Sequence, residues 1–266
     1  MAITHALTHR LDHRFPIAVI RLRGELTAAT GGTVRAAVLA ALVEEPTSVI
    51  VDLTGLTAVD ELALQVFAGA AGQAAHWPGA ELLLCCLPPA AAAALPHTPA
   101  VRDLPVHQTF EAALAQAAAV PVPLRVRQRL EPTIHAPRLA RELAAEAYAS
   151  WGLAGSTTPA EIVATELVTN AVRHAGTAID LRLTLRDQQL RVSVQDRAGE
   201  PARMRTPGES DDRGRGLLIV DSVATGWGNV PVPDGKVVWA TPRSADLAAP
   251  AAAPGRRRTR VRCRHG

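Results

Sequence analysis

Two kinds of apolar run in this chain cannot belong to the same kind of sheet. Ser48–Leu53 (SVIVDL) and Glu81–Leu87 (ELLLCCL) are short and apolar almost throughout, as strands covered on both faces must be. Leu124–Leu130 (LRVRQRL) alternates apolar and polar side chains without a break, the pattern of a strand with one wet face. Between the two kinds stands Pro121-Val122-Pro123, a short and stiff linker. The sequence therefore predicts two domains of different architecture, residues 1–120 and 121–244. That division suits 266 residues at about 100–200 residues per domain. Residues 245–266 are rich in Ala and Pro, then in Arg, and are expected to be a disordered tail.

In the first domain strand and helix signals alternate. Ala18–Leu22 reads as a strand, and Val34, Val38, Leu39 and Leu42 mark a helix by their three- and four-residue spacing. Helical spacing returns over residues 61–75, and an alanine-rich helix follows Pro88-Pro89. A short strand near Leu104–His107 and a helix from Phe110 complete the set. This predicts an α/β domain, with helices packed on a small sheet. In the second domain Ala136–Trp151 and Thr158–Ala175 are helical, and Ala178–Leu185 with Leu190–Gln195 forms a hairpin. A polar stretch from Asp196 to Arg213, a helix near Gly216–Val223 and a strand at Val237–Ala240 follow. That order predicts an α+β sandwich, with helices on one face of a mixed, mainly antiparallel sheet.

Charge and cysteine content narrow the function classes. The formal charge of +3 divides into −4 over residues 1–120, +2 over 121–244 and +5 in the tail. The basic pI of 9.1 therefore describes the tail more than the domains. The tail holds six arginines but no interleaved aromatic residue, and no DNA-binding motif is present. Nucleic acid is not the expected partner. No apolar run reaches the roughly 18 residues of a bilayer span, and the N-terminus lacks a signal-peptide core; a cytoplasmic protein is expected, with no membrane partner. Cys85 and Cys86 are adjacent. As neighbours in one strand they would point to opposite faces, which suits neither a disulfide nor a metal clip and predicts inert, buried thiols.

Three segments of the second domain carry chemistry. In Glu166-Leu-Val-Thr-Asn170-Ala-Val-Arg173-His174, helical spacing places Glu166, Asn170 and either Arg173 or His174 on one face. A carboxylate one turn from an amide can orient a nucleophile and help hold a hydrated divalent cation, since Mg²⁺ takes oxygen ligands and retains waters. The same face could equally be a solvated polar surface. Asp196, at a strand end with Gly199 behind it, could accept a hydrogen bond from an exocyclic amino group such as that of adenine; it could also simply start a turn. Asp212-Arg213-Gly214-Arg215-Gly216-Leu217 opens a helix, where bare N–H groups and two arginines favour an anion.

Taken in this order and spacing, with the closing GWG and GKVVWA segments (Gly226–Gly228 and Gly235–Ala240), residues 124–242 resemble the ATP-binding domain shared by gyrase, Hsp90, histidine kinases and MutL. TELVTNAVRHA and GRGLLIVDSVATGWG are similar to the anti-sigma-factor serine kinases of bacteria. The resemblance implies ATP and Mg²⁺ as cofactors, with Asn170 as the Mg²⁺ ligand and Glu166 as general base toward an incoming hydroxyl. It further implies Asp196 on the adenine amino group, Gly199 at the adenine-side turn, Gly214 and Gly216 by the phosphates, and Arg173 and His174 flanking the site. The usual D-x-G-x-G is shortened here, with Ala198 at its centre and Glu200-Pro201 after Gly199.

Residues 15–118 resemble the STAS domains of anti-sigma-factor antagonists through Gly24-Glu25-Leu26 and Val51–Asp60 (VDLTGLTAVD). In that family a serine at the following helix start accepts phosphate. Here Asp60-Glu61-Leu62-Ala63-Leu64 stands there, and neither Glu61 nor Leu62 carries a hydroxyl. Glu61 is either a partial imitation of a phosphoserine charge or a favourable first-turn acid. Together the resemblances imply a regulatory ATP-binding protein of the anti-sigma-factor serine/threonine kinase type, controlling transcription by switching between a sigma factor and STAS antagonists, with a homodimer as one arrangement. The alternative they leave open is a catalytically weak, nucleotide-responsive binding module whose STAS domain acts as a pseudo-substrate.

Overall fold

The computed structural model describes residues 6–60, 62–76, 79–94, 101–153, 155–198, 215–232 and 235–243. The first sheet has the order β1-β2-β3-β4-β5, built from Thr8–Arg14, Ile17–Leu26, Ser48–Val59, Glu81–Cys85 and Val106–His107. β1 runs antiparallel to β2, and the other neighbours are parallel. Side-chain alternation divides this sheet's core in two. Ile20, Leu22, Val49, Val51, Leu82 and Leu84 join α1 (Gly31–Leu42) and α2 (Gln65–His76, after a 3-10 turn at Leu62–Leu64). Val19, Ile50, Leu83 and Cys85 face the other way, with Ala113 and Ala117. Those alanines lie on α4 (Phe110–Ala119); α3 is the short Pro89–Ala94. Covered on both sides, β3 and β4 have no face to leave polar.

The second sheet has the order β6-β7-β8-β10-β9: Leu124–Leu130, Ile179–Arg186, Gln189–Asp196, Gly235–Pro242 and Ala224–Val232. Every pairing among the described strands is antiparallel, so the parallel component implied by a mixed sheet is not found there. β7 and β8 form the expected hairpin, and Asp187 and Gln188 both adopt positive φ at its tip, as a two-residue turn of this hand requires. Helices α5 (Ala136–Ser150), α6 (Thr158–His174) and α7 (Arg215–Val223) cover one face. There Ala140, Ala144, Val163, Leu167 and Val168 meet Leu181, Leu183, Val192, Val194 and Val238.

The sheet's other face is not wet. Arg125, Arg127, Arg182, Thr184, Arg186, Arg191 and Ser193 alternate with the apolar residues of β6–β8 and so project away from the helices. They meet the ends of β2, β3 and β4 at which those strands begin. Glu44 takes Arg182 at 3.1 Å, Arg127 at 3.0 Å and Arg125 at 3.5 Å. Glu45, buried and at φ +52, accepts hydrogen bonds from Thr184 at 2.6 Å and from Ser193. Arg186 donates to the Gly79 carbonyl at 2.6 Å, and Arg125 stacks on Phe15. Val230, Val232, Val237 and Trp239 add apolar contact with the first domain's core. The alternation was read correctly, but a face rich in arginine can be buried when a partner brings carboxylates.

Two further differences have local causes. β1 and β9 carried no strand signal, because THRLDHR has one large apolar residue and ATGWGNVPV holds two glycines and a proline. Both are edge strands, where such residues are tolerated. The cysteines also depart from expectation. β4 ends at Cys85, and Cys86 adopts φ +57. Both cysteines therefore lie on the α4 side of the sheet, and their thiols do not diverge.

Candidate nucleotide site

Helix α6 carries the central pair. Ala160, Val163, Ala164, Leu167, Val168 and Ala171 bury one face, which fixes the rotation of the helix about its axis. Glu166 and Asn170 then fall half-buried at the margin of that face, about 6 Å apart along the axis at ~1.5 Å per residue. Arg173 and His174 stand exposed in the last turn, where positive charge complements the helix dipole.

Helix α7 closes on this pair. A Cβ placed on Gly216 would lie 2.8 Å from Glu166 Oε2. The missing side chain is what lets the start of α7 approach the carboxylate. The glycine-flanked helix start and the E-x-x-x-N helix, about fifty residues apart in the chain, are thereby neighbours.

Asp196 ends β8 on the helix-covered side and is almost fully buried. Its Oδ1 accepts from the Ala198 N–H at 2.9 Å and pairs with Lys236 Nζ at 3.0 Å. Lys236 is its register partner on β10. A carboxylate in this position can accept a hydrogen bond from an amino group. Gly235 must be glycine: it has φ +130, and a Cβ there would sit 2.0 Å from the Asp196 carbonyl oxygen. Lys236 was not singled out by sequence reasoning. The available signal was a lone lysine next to a glycine in the closing strand.

The remaining site residues are placed unevenly. Gly199, Arg213, Gly214 and Glu61 lie outside the described residues, as do the 245–266 tail and most of the polar stretch after Asp196; Arg215 is described only as backbone of α7. Leu62 is exposed and donates its N–H to Asp60.

Position in the fold also bears on the pseudo-substrate alternative. The acceptor position follows the end of β3, whereas Glu44 and Glu45 precede its start. Twelve residues of strand separate them by roughly 40 Å at ~3.3 Å per residue. The domains thus meet through the opposite end of the first sheet, and on the face of the second sheet remote from Glu166. In this arrangement the first domain does not occupy the site as a pseudo-substrate.

A STAS domain model matches residues 10–113, and a histidine kinase-like ATPase domain model matches residues 130–241. The chain joins a STAS domain to a histidine kinase-like ATPase domain. No curated protein matches it. Similar solved structures include an anti-sigma factor antagonist from Mycobacterium paratuberculosis, 18% identical over 42% of this chain and 95% of that one, TM-score 0.37. The unphosphorylated anti-sigma factor antagonist SpoIIAA is 19% identical over 43% and 99%, TM-score 0.36. The RsbU and RsbW domains of Rv1364c from Mycobacterium tuberculosis are 21% identical over 48% and 35%, TM-score 0.36. No helix among the described residues of the STAS–ATPase chain is long and apolar enough to cross a membrane.

Proposed function

We propose that this chain is an ATP-binding partner-switching regulator whose ATPase domain transfers the γ-phosphoryl group to a serine of a separate STAS protein, in control of a sigma factor. The observation that carries the reading is the packing of Gly216 against the Glu166 carboxylate, with Asn170 one turn away and Asp196 buried at the strand end on the same side of the sheet.

The residues present fit Mg²⁺ and ATP. Asn170 offers an amide oxygen of the type Mg²⁺ accepts, Asp196 is a buried carboxylate of the type that accepts from an amino group, and Gly216 leaves space where a side chain would intrude. Bound Mg²⁺ would neutralise charge on the phosphates. Glu166 would hold the incoming serine hydroxyl and take its proton. Lys236 holds Asp196 in place by pairing with it inside the domain, and Gly235 permits the close strand approach on which that pairing depends. Such a site works by positioning and electrostatics.

The STAS domain of this chain has no serine to accept phosphate at Glu61 or Leu62. The substrate is therefore a second protein, and the tethered domain serves as a cap on the arginine face. A catalytically weak binding module remains the second reading, favoured by that same lost acceptor. Calorimetry separates the binding claim from the rest: the full chain should bind Mg·ATP, and Asn170→Ala should lose at least about tenfold in affinity, in line with loss of a metal-orienting group. Equal binding by both proteins would overturn the assignment of Asn170.

A further inference from the structure

Away from the nucleotide site, one row of side chains crosses the STAS sheet on the α4 side. Arg21 of β2 is in register with Asp52 of β3, Asp52 with Cys85 of β4, and Cys85 with His107 of β5. Register partners on parallel strands leave by the same face, so these four groups stand in line. Cys86 joins them through its left-handed backbone, a conformation uncommon for a residue with a side chain. The Cys85 and Cys86 sulfurs and an Asp52 carboxylate oxygen lie within 4.8 Å of one another. Next in the row, His107 Nε2 is buried and has no hydrogen-bond partner among the described residues.

We propose that Asp52, Cys85 and Cys86 form a binding site for a thiophilic divalent cation of the zinc class, with His107 or water in the fourth position. Two sulfurs and one carboxylate are a zinc-type donor set; magnesium and calcium take oxygen alone. Sulfurs around a tetrahedral zinc at ~2.3 Å lie about 3.8 Å apart, so the three atoms need to close by only about 1 Å. Charge also balances. A divalent ion with two thiolates and a carboxylate carries a net −1, and the Arg21 guanidinium stands 3.5 Å from Asp52 Oδ2. Arg21 also holds Asp12 and lies over the Phe110 ring, which keeps it beside the site. Burial raises the Cys85 thiol above its ordinary range, so the thiol stays protonated until a cation displaces the proton into solvent. The site lies at the end of β4 opposite Gly79, which touches the ATPase domain, and is independent of nucleotide chemistry.

The test uses the full reduced chain carrying Cys263→Ser, so that the tail thiol adds no signal. Titration with Cd²⁺ should give one ion per chain and an ultraviolet thiolate-to-metal absorption band, and Zn²⁺ should compete for it. Adding Cys86→Ser, at a half-buried position, should remove about half the band and weaken binding at least ~10-fold; Asp52→Asn should keep the band and weaken binding by ~10-fold. Circular dichroism of each variant checks that the fold is kept. Cd²⁺ binding to the Cys263→Ser chain no tighter than to a Cys85→Ser/Cys86→Ser/Cys263→Ser chain would overturn the site. So would unchanged binding in the Cys86→Ser chain, or loss of both thiols to a disulfide in place of metal uptake.

Discussion

The two faces of the ATPase sheet are built from the same alternating strands and do opposite work. On the helix-covered face the polar groups are few and placed singly: Glu166 and Asn170 at the margin of α6, and Asp196 held by Lys236. On the other face they are many and mutually engaged, with Arg125, Arg127 and Arg182 converging on Glu44. One face sets its polar groups beside Gly216 at the start of α7; the other sets its guanidinium groups against the carboxylates of the first domain.

That contrast is sharpest at Glu166. If the carboxylate acts on the serine hydroxyl, Glu166→Ala should lower phosphotransfer to a serine-bearing STAS protein by roughly 10²–10⁴-fold, the ordinary contribution of a general base. Mg·ATP affinity should change little. Transfer of label from γ-labelled ATP measures the first and calorimetry the second. Equal loss in both would make Glu166 a binding residue and dissolve the proposed division between it and Asn170.

The docking face breaks differently. Arg182 is fully buried, and its Nε and Nη1 have no hydrogen-bond partner among the described residues; burial lowers its pKa, while Glu44 and Glu45 oppose that. Removing a carboxylate from such a cation costs about 3–5 kcal/mol when both are buried. Glu44 is 30% exposed, so Glu44→Ala should cost about 2 kcal/mol. The loss should appear as faster proteolysis at residues 120–123 and a lower melting temperature, with Mg·ATP affinity unchanged. If affinity fell as well, the two faces would be coupled.

The helix-covered face was the more legible one in sequence, and the reason is physical. Glu166 and Asn170 lie on one helix, so their relation is local and follows from a 3.6-residue period. Asp196 also declared itself, at the end of a clear strand. Lys236 did not, because its partner is set by β8–β10 pairing across forty residues. The arginine face was visible as alternation and misread as wet. Nothing in LRVRQRL says that Glu44 and Glu45, some eighty residues earlier, will cover it. β1 and β9 escaped because edge strands need neither apolar alternation nor freedom from Gly and Pro. The cysteine pair was missed for a smaller reason: the expected divergence of neighbouring side chains assumes extended backbone, and Cys86 leaves the strand at φ +57.

The smallest effect is expected at Arg191, which asks whether the docking face depends on charge alone. Its guanidinium lies 4.2 Å from the Trp239 ring centre, and Gly228 leaves room for that ring: a Cβ there would sit 2.9 Å from it. Burial lowers the Arg191 pKa, against the opposing pull of Glu45, and Nη1 has no hydrogen-bond partner among the described residues. Arg191 therefore contributes through its flat stacked surface more than through pairing. Arg191→Lys keeps the charge and loses the plane. It should destabilise the chain by about 0.5–1 kcal/mol, the scale of a cation–π contact, read from denaturant midpoints at constant slope. A loss as large as that of Glu44→Ala would mean that Arg191 belongs to the same charge network. No loss at all would leave the apolar contacts of Val230, Val232 and Val237 to hold that end of the interface.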